Sequence, residues 1–213
     1  MSSSATDQTR LYYVHDPMCS WCWGFRPTWL QLRQGLERRI SLVTLVGGLA
    51  PDSDQPMDPG LRQQLEQTWQ RITQQIPGTR FNFDFWRVNV PRRSTYPACR
   101  AAIAARQMAD LEAEMTLAIQ QAYYLEARNP SDAEVLAECA ASIGLEPSAF
   151  AERLGSAQLK RDFVDELQRV RSIGVDSFPS LVLERADTRW NIPINYTAVQ
   201  PMRDDIDQLL ATA

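Results

Sequence analysis

The stretch RLYYVHDPMCSWCWGF, residues 10–25, says more about the fold than any other segment of this chain. Its first part, Arg10–His15, is rich in aromatic and aliphatic side chains and predicts a short buried strand. Asp16 and Pro17 end that strand, because a proline cannot continue a ladder of strand hydrogen bonds. Beyond Cys22 the apolar residues recur with the spacing of an amphipathic helix. The stretch therefore predicts a strand followed closely by a helix.

Two of the four cysteines, Cys19 and Cys22, lie at this junction as a Cys-x-x-Cys pair. Unpaired backbone N–H groups and the positive end of the helix dipole favour a thiolate at the start of a helix. A separation of three residues puts both sulfurs on one helix face, within reach of a disulfide bond. We predict a redox site in which Cys19 is the nucleophile and Cys22 is the resolving thiol, one turn deeper.

Two other interpretations of the cysteine pair stay open at this point. A structural zinc site would need two more ligands, for which His15, Cys99 and Cys139 are the candidates. The chain has no second Cys-x-x-Cys and no pair of histidines, so we predict no metal. Alternatively, the two cysteines are inert and only pack in the core. Cys99 and Cys139 lie in alanine-rich helical surroundings and are predicted to be buried thiols.

The rest of the chain predicts an interrupted α/β fold. Ile40–Val46 is nearly all apolar, as expected of a central parallel strand, and completes a β-α-β unit. Strand signals return at residues 180–184 and 189–194, and a helix closes the chain. We predict a thioredoxin-like fold with a large all-helical insertion between its β-α-β and β-β-α halves. Residues 1–59 and 173–213 form the thioredoxin-like domain in this interpretation, and residues 60–172 form the helical insertion domain.

Within the insertion, the apolar spacing and the capping signals predict several helices. The first covers Leu61–Ile76. Pro97–Tyr124, alanine-rich and almost free of helix breakers, predicts one long helix. A capping box at Ser131–Glu134 predicts the start of another. Pro147–Leu154 predicts a short helix and Ser156–Ile173 a further one, which Gly174 ends.

Three segments give the chain its resemblance to a known family: YYVHDPMCSWCWGF (12–25), VGGL (46–49) and GVDSFPSLVL (174–183). Together they resemble the DsbA-like branch of the thioredoxin superfamily, in the subgroup without a signal peptide often called FrnE-like. The predicted order of elements matches that family over nearly the whole chain. The resemblance implies a protein-disulfide oxidoreductase or isomerase.

The resemblance also implies how the site is completed. Pro179 is expected to be cis and to face the cysteine pair, leaving the neighbouring backbone free to pair with an extended substrate. An ordinary proline at a sheet edge is the alternative. The helical block would cover the site, with Trp21, Trp23 and Phe25 as its exposed aromatic side chains. Four residues are expected to bind substrate: Trp21, Trp23, Phe178 and Ser180.

The sequence departs from the family pattern at two places. Tyr13 replaces the buried acid that thioredoxins often carry six residues before the first cysteine. Asp16 is the nearest carboxylate; we predict that it caps the turn, and its part in proton transfer from Cys22 stays open. Ser20 and Trp21 occupy the positions between the cysteines, where the periplasmic oxidases have a histidine. Without that imidazolium we expect a less oxidising disulfide.

The composition and the N-terminal sequence restrict the kinds of partner and the cell compartment that we expect for this chain. The chain has 213 residues and a net charge of −4, with 44% hydrophobic and 23% charged residues. This acidic balance argues against nucleic acid as a partner, and no apolar run is long enough to span a membrane. The polar N-terminus predicts no secretory signal and hence the cytoplasm. We expect no bound cofactor, a disulfide- or thiol-containing protein or small molecule as substrate, and a thiol such as glutathione, or another dithiol, as co-substrate.

Two other functions compete with disulfide exchange. Relatives with a similarly interrupted sheet, the kappa-class transferases and hydroxychromene-carboxylate isomerases, bind glutathione and look like they use a serine at the position of Cys19. A glutathione-dependent isomerase or transferase is therefore one alternative. The other is a non-enzymatic thioredoxin-like adaptor that presents the surface around the cysteines to a partner.

Overall fold

A four-stranded mixed sheet forms the centre of the fold. The computed structural model describes residues 9–212. The strands have the following bounds: β1 Arg10–His15, β2 Ser41–Val46, β3 Ser180–Arg185 and β4 Thr188–Ile192. They lie in the order β2-β1-β3-β4. β1 pairs in parallel with β2 and antiparallel with β3, and β4 pairs antiparallel with β3.

Nine helices accompany the sheet in the described part of the chain: α1 Ser20–Leu36, α2 Pro59–Gln75, α3 Phe85–Val88, α4 Tyr96–Ala109, α5 Glu112–Tyr124, α6 Ala133–Ser142, α7 Pro147–Gly155, α8 Ala157–Ser172 and α9 Gln200–Thr212. α1 connects β1 to β2, α9 follows β4, and α2 to α8 lie between β2 and β3. The predicted α/β class with a helical insertion is confirmed. The division into two domains stays a prediction. None of these helices has the length and apolar character needed to cross a membrane.

Local signals explain where several helices begin and end. Asp58 accepts a hydrogen bond from the N–H of Leu61 at 3.0 Å and so caps α2. Ser156 does the same for α8 through the N–H of Leu159. These side chains satisfy N–H groups that a helix start leaves without partners. Gly174 follows α8 with a φ of +78°, a conformation that glycine adopts without a steric penalty.

The prediction of one long helix over Pro97–Tyr124 is wrong, because the structure divides it into α4 and α5. Asp110 separates the two with φ 58° and ψ 33°, in the left-handed region. Its N–H still bonds to the carbonyls of Ala105 and Arg106 and closes α4. Aspartate is one of the few residues that tolerate this conformation. Since no glycine or proline marks the break, helical propensity concealed it.

The prediction that the second strand is central is also wrong: β2 lies at the edge of the sheet. Helices of the insertion cover this edge. The N–H of Val46 donates to Glu166 of α8 at 2.8 Å, and the carbonyl of Thr44 accepts from Arg106 of α4 at 3.3 Å. Because insertion helices lie against it, an edge strand here carries the apolar pattern of a central one.

The predicted capping box does not form, although α6 begins where it was expected. Asp132 is the N-cap residue and makes no side-chain capping bond. The hydroxyl of Ser131 donates instead to the carbonyl of Ser94 at 2.7 Å. A contact 37 residues away in sequence has therefore replaced the local one.

Apolar side chains from the two faces of β1 enter two different cores. Leu11 and Tyr13 pack with α1 and α9, whereas Tyr12 and Val14 pack with the end of α8. This division follows from the alternation of side chains along a strand. A third and larger core fills the insertion and includes Met18, from the loop just before α1. The insertion is thus packed directly against the segment that carries the cysteine pair.

Candidate active site

Cys19 caps the N-terminus of α1, so its sulfur lies where a helix leaves backbone N–H groups without partners. The sulfur accepts a hydrogen bond from the N–H of Cys22 at 3.4 Å. The N–H of Cys19 donates to the carbonyl of Asp16 at 3.0 Å and holds the tight turn before the helix. A helix N-terminus stabilises a negative charge, and this favours the thiolate form of a capping cysteine.

Cys22 lies one turn deeper and is fully buried, whereas Cys19 keeps 5% of its surface exposed. Burial raises the pKa of Cys22 well above its ordinary value, and the adjacent Cys19 sulfur raises it further. Both residues are free thiols, as are the buried Cys99 and Cys139. Among residues 9–212, no three His, Cys, Asp or Glu side chains come together as a metal-binding group. The pair therefore consists of an outer thiol and a protonated inner thiol.

The segment before β3 faces the outer thiol. The Cys19 sulfur donates to the carbonyl of Phe178 at 3.4 Å, across 159 residues of sequence. The peptide bond between Phe178 and Pro179 is cis, and Pro179 is buried. Ser180 is partly exposed and donates its hydroxyl to the carbonyl of Ser177 at 2.7 Å. The structure thus brings Cys19 into direct contact with both Cys22 and Phe178, and Pro179 and Ser180 follow Phe178 in the chain.

The aromatic residues of the cysteine segment have three different surroundings. Trp21 is partly exposed, and its ring centroid lies 5.1 Å from that of Tyr196. Trp23 stacks on Tyr124 at 5.7 Å and points into the insertion. The prediction that Phe25 is exposed is wrong: it is 0% exposed and packs in the core beneath the sheet. Trp21 and Phe25 lie four residues apart on one face of α1 and both contact Tyr196, but Phe25, one turn further along, is covered by the sheet, whereas Trp23 lies on another face.

Tyr196, which follows β4, is a site residue that the sequence did not indicate. Its backbone carbonyl accepts a hydrogen bond from the hydroxyl of Thr28 of α1 at 2.7 Å. Burial raises the pKa of Tyr196, and the nearby Cys19 and Cys22 raise it further. The phenol is therefore neutral beside the thiols and can form one wall of the entrance together with Trp21. No motif or spacing around residue 196 marks it, since only tertiary packing brings it to α1.

Asp16 caps the turn, as predicted, and also joins the turn to the insertion. Its carboxylate accepts from the N–H groups of Met18 and Leu49, both at 2.8 Å, and from the hydroxyl of Thr95 at 2.6 Å. The thiol of Cys99 donates to it at 3.5 Å. These bonds compensate the burial of the charge. The carboxylate holds the cysteine turn, the turn after β2 and the start of α4 together.

Gly47 is the position at which a small substitution should disturb the site. A β-carbon there would lie 2.0 Å from the ring of Phe178, so the ring would have to move. We expect Gly47→Ala to lower the free energy of unfolding by about 1–3 kcal/mol and to slow thiol–disulfide exchange, because Phe178 holds the segment facing Cys19. Denaturant unfolding and an exchange assay measure the two effects.

Gly155→Ala is the matched control for that change. A β-carbon at Gly155 would meet no atom within 4 Å. This variant should be as stable as the parent chain or slightly more so, with unchanged activity. Equal stability and activity of Gly47→Ala and Gly155→Ala would show that the close packing of Phe178 does not maintain the site.

The raised pKa of Cys22 predicts a loss of stability in alkaline solution. Below about pH 8.5 the thiol is protonated in both the folded and the unfolded chain. Above that pH the unfolded chain loses the proton while folded Cys22 keeps it, so stability falls with a slope of at most about 1.4 kcal/mol per pH unit. Cys22→Ala should show a shallower slope. Identical slopes of the free energy of unfolding against pH, for reduced parent and variant, would contradict this prediction.

A dithiol at the start of a helix, facing a proline segment on a thioredoxin-like sheet, defines the class of thioredoxin-like, DsbA-family oxidoreductases. A family model described as thioredoxin matches residues 12–198, and the chain belongs to this family. The predicted resemblance is thereby confirmed at the level of the family. The FrnE-like subgroup stays a prediction.

Several solved structures resemble nearly the whole chain. One, from Nitrosomonas europaea, is provisionally described as a protein disulfide isomerase; it is 27% identical, with 97% of this chain and 99% of the other covered and a TM-score of 0.82. Another is the cytosolic disulfide reductase DsbM from Pseudomonas aeruginosa, at 28% identity, 96% and 100% coverage and a TM-score of 0.76. DsbM has also been solved with GSH.

A curated relative has a different description. The ClpXP adapter protein SpxH of Halalkalibacterium halodurans is 25% identical over 194 residues, which cover 85% of this chain. The match spans 63% of the length of that protein. The chain is therefore similar both to redox proteins and to an adapter.

Proposed function

We propose that this chain is a cytoplasmic thiol–disulfide oxidoreductase that reduces disulfide bonds in a protein or a small molecule. A thiol such as glutathione, or another dithiol, supplies the electrons. The observation that carries the proposal is the asymmetry of the two thiols. Cys19 lies at the helix N-terminus and faces Phe178, whereas Cys22 is fully buried with a raised pKa. Such an asymmetry assigns attack to the outer sulfur and resolution to the inner one.

The exchange takes place in two displacements. The Cys19 thiolate attacks one sulfur of the substrate disulfide, forms a mixed disulfide and releases the first substrate thiolate. Cys22 then gives its proton to the released substrate thiolate, attacks the Cys19 sulfur and releases the second thiolate. The substrate has gained two electrons, and the chain holds a Cys19–Cys22 disulfide. Two glutathione thiolates restore the dithiol by the same chemistry in reverse and leave as one glutathione disulfide.

The surroundings of Cys19 support an extended substrate. The backbone around Phe178 can pair with a peptide strand beside the attacked sulfur. Trp21 of α1 and Tyr196, from the segment after β4, lie with their rings in contact and add an aromatic surface next to the cysteine pair. Trp21, Trp23, Phe178 and Ser180 stay the predicted substrate-binding residues, to which this geometry adds Tyr196. The reducing direction, the cytoplasm and the use of glutathione follow the similarity to DsbM.

The equilibrium potential of the Cys19–Cys22 pair tests the direction of the reaction. We expect a value nearer the roughly −270 mV of thioredoxin than the roughly −120 mV of the oxidant DsbA. The measurement equilibrates the protein with glutathione buffers and quantifies the two thiols after alkylation. In parallel, Cys22→Ser should accumulate a mixed disulfide on Cys19, visible by mass spectrometry without reductant. A potential near that of DsbA would reverse the proposed direction, and no trapped adduct would contradict the mechanism.

Binding to a partner without chemistry is a second candidate function, favoured by the similarity to SpxH. The test compares partners captured by the parent chain and by the Cys19→Ser, Cys22→Ser double variant. A partner retained equally by both would support an adaptor, whereas loss of capture in the double variant would support covalent exchange. Glutathione-dependent isomerase or transferase activity stays a prediction, which saturable glutathione binding without disulfide reduction would favour.

A further inference from the structure

A cavity of about 620 Å³ lies beside β2, between α1 and α5. This volume is typical of sites that bind small molecules. Neither cysteine of the pair lines it, and neither do Phe178, Pro179 and Trp21. The cavity is therefore separate from the entrance to the redox site, and disulfide exchange as described above does not use it.

The α5 wall of the cavity carries oxygen atoms without hydrogen-bond partners. Glu112, Thr116 and Gln120 follow one another at intervals of four residues and so share one face of α5. All three line the cavity. Glu112 Oε1, Thr116 Oγ1 and Gln120 Oε1 are buried and make no hydrogen bond within the described part of the chain. Only 6% of Thr116 and 2% of Gln120 is exposed.

Buried oxygens of this kind nearly always have a partner in native proteins. The other oxygen of Glu112 accepts from Arg106, so only Oε1 is without a hydrogen bond. His15 Nε2 lies 3.9 Å from Glu112 Oε1, beyond hydrogen-bond distance. Three acceptors on one helix face match a group with several N–H donors, of which a primary ammonium is the most compact.

The α1 wall has the opposite chemistry. Arg26 lines the cavity and is half-buried, but its guanidinium makes no ion pair or hydrogen bond with residues 9–212. Burial lowers the pKa of Arg26, although Glu114 on the facing helix favours the charged form from beyond ion-pair distance. The neighbouring Arg33, by contrast, lies 3.9 Å from Glu37 as an ion pair. Arg26 is thus a cation available for an anionic group in the cavity.

We infer that this cavity binds a free amino acid or a short peptide with unblocked ends. The side chains of Glu112, Thr116 and Gln120 turn their buried oxygens toward the cavity and accept from the ammonium group, and the carboxylate pairs with Arg26 on α1. A zwitterion satisfies both walls at once, whereas a simple cation or a simple anion leaves one wall unpaired. Tyr13 also lines the cavity; burial raises its pKa, and the nearby Cys22 and Cys19 raise it further, which places this site close behind the redox pair.

Trialanine is a suitable probe, because its methyl side chains need no specific contacts in the cavity and it has no sulfur that could react with the cysteines. Binding is measured by calorimetry and located by amide chemical shifts in the full chain. We expect saturable binding with shifts at α5 and α1. N-acetyl-trialanine and trialanine amide should each bind at least about tenfold more weakly, because each lacks one charged end. No binding at millimolar trialanine, or equal binding of all three forms, would overturn the inference.

Two variants test separately how the cavity binds the carboxylate and the ammonium end of the ligand. Arg26→Gln should weaken the binding of trialanine about tenfold and leave that of trialanine amide unchanged. Gln120→Leu should weaken trialanine but not its N-acetyl form, and the chain should fold normally because an unpaired polar group is replaced by an apolar one of similar size. Arg71→Gln, an exposed change of equal charge on α2, is the control. Chemical shifts confined to the surroundings of Cys19 would also overturn the inference.

Discussion

Cys19→Ser is expected to reduce disulfide exchange to the uncatalysed background. A serine hydroxyl is not ionised at neutral pH, whereas a thiol at the start of a helix is available as the thiolate that attacks a disulfide. Cys22 cannot take over, because it is fully buried and its pKa is raised well above the ordinary value. The rate of reduction of a small disulfide and of a protein disulfide, at equal enzyme concentration, measures the loss.

The other cysteines supply the controls for this experiment. Cys139→Ser removes a buried free thiol from α6, remote from the pair in sequence, and should retain activity. Cys22→Ser should lose turnover but still form one covalent adduct, because Cys19 is intact. If Cys19→Ser kept even a tenth of the parental activity, the assigned nucleophile would be wrong. Loss of activity in Cys139→Ser would instead indicate a general failure to fold.

Trp69→Ala is expected to cause the largest loss of stability, about 3–5 kcal/mol. Trp69 is 0% exposed and lies on α2, at the centre of the aromatic part of the insertion core. Six rings have their centroids 4.8–5.9 Å from the Trp69 ring: Phe81, Phe83, Phe85, Trp86, Tyr123 and Tyr124. Replacing the indole with a methyl group removes all these contacts and leaves a cavity. Denaturant unfolding at neutral pH measures the change.

Trp69 also connects the insertion to the redox site. Its Nε1–H donates to the hydroxyl of Ser20, the first residue of α1, at 2.8 Å. Trp69→Phe keeps an aromatic ring but removes this bond. It should therefore lower the free energy of unfolding less than Trp69→Ala does, and still change the reduction potential of the cysteine pair. Trp190→Ala, at a partly exposed position on β4, should cost clearly less than Trp69→Ala. Equal losses for these two alanine variants would contradict the central place of Trp69 in the core.

The cysteine site could be predicted because its main features are local. β1 has the bounds that its composition predicted, and the Asp16-Pro17 turn brings Cys19 directly to the N-cap of α1. Backbone geometry over a dozen residues then dictates which sulfur is outer and which is inner. Pro179 was identified by family resemblance, since nothing local connects it to a cysteine pair 160 residues earlier.

The predictions from sequence were wrong where a contact with a residue distant in the chain replaced the interaction expected from the local sequence. β2 has the composition of a central strand, but helices of the insertion replace the missing neighbour at its edge. Phe25 belongs to the cysteine stretch, yet the sheet and Tyr196 bury it. Ser131 has the pattern of a capping box, but a carbonyl from another segment takes its hydroxyl. In each case the competing partner lies far away in sequence.

Short-range order thus established the strand, the helix and the paired thiols, because φ and ψ preferences, capping and helical spacing act within a few residues. Tertiary packing alone decided that Phe178 lies against Cys19, that Tyr196 contacts Trp21, and that a cavity lies between α1 and α5. These arrangements depend on how all the elements fill one core, and no single segment of the chain encodes the position of its distant neighbours.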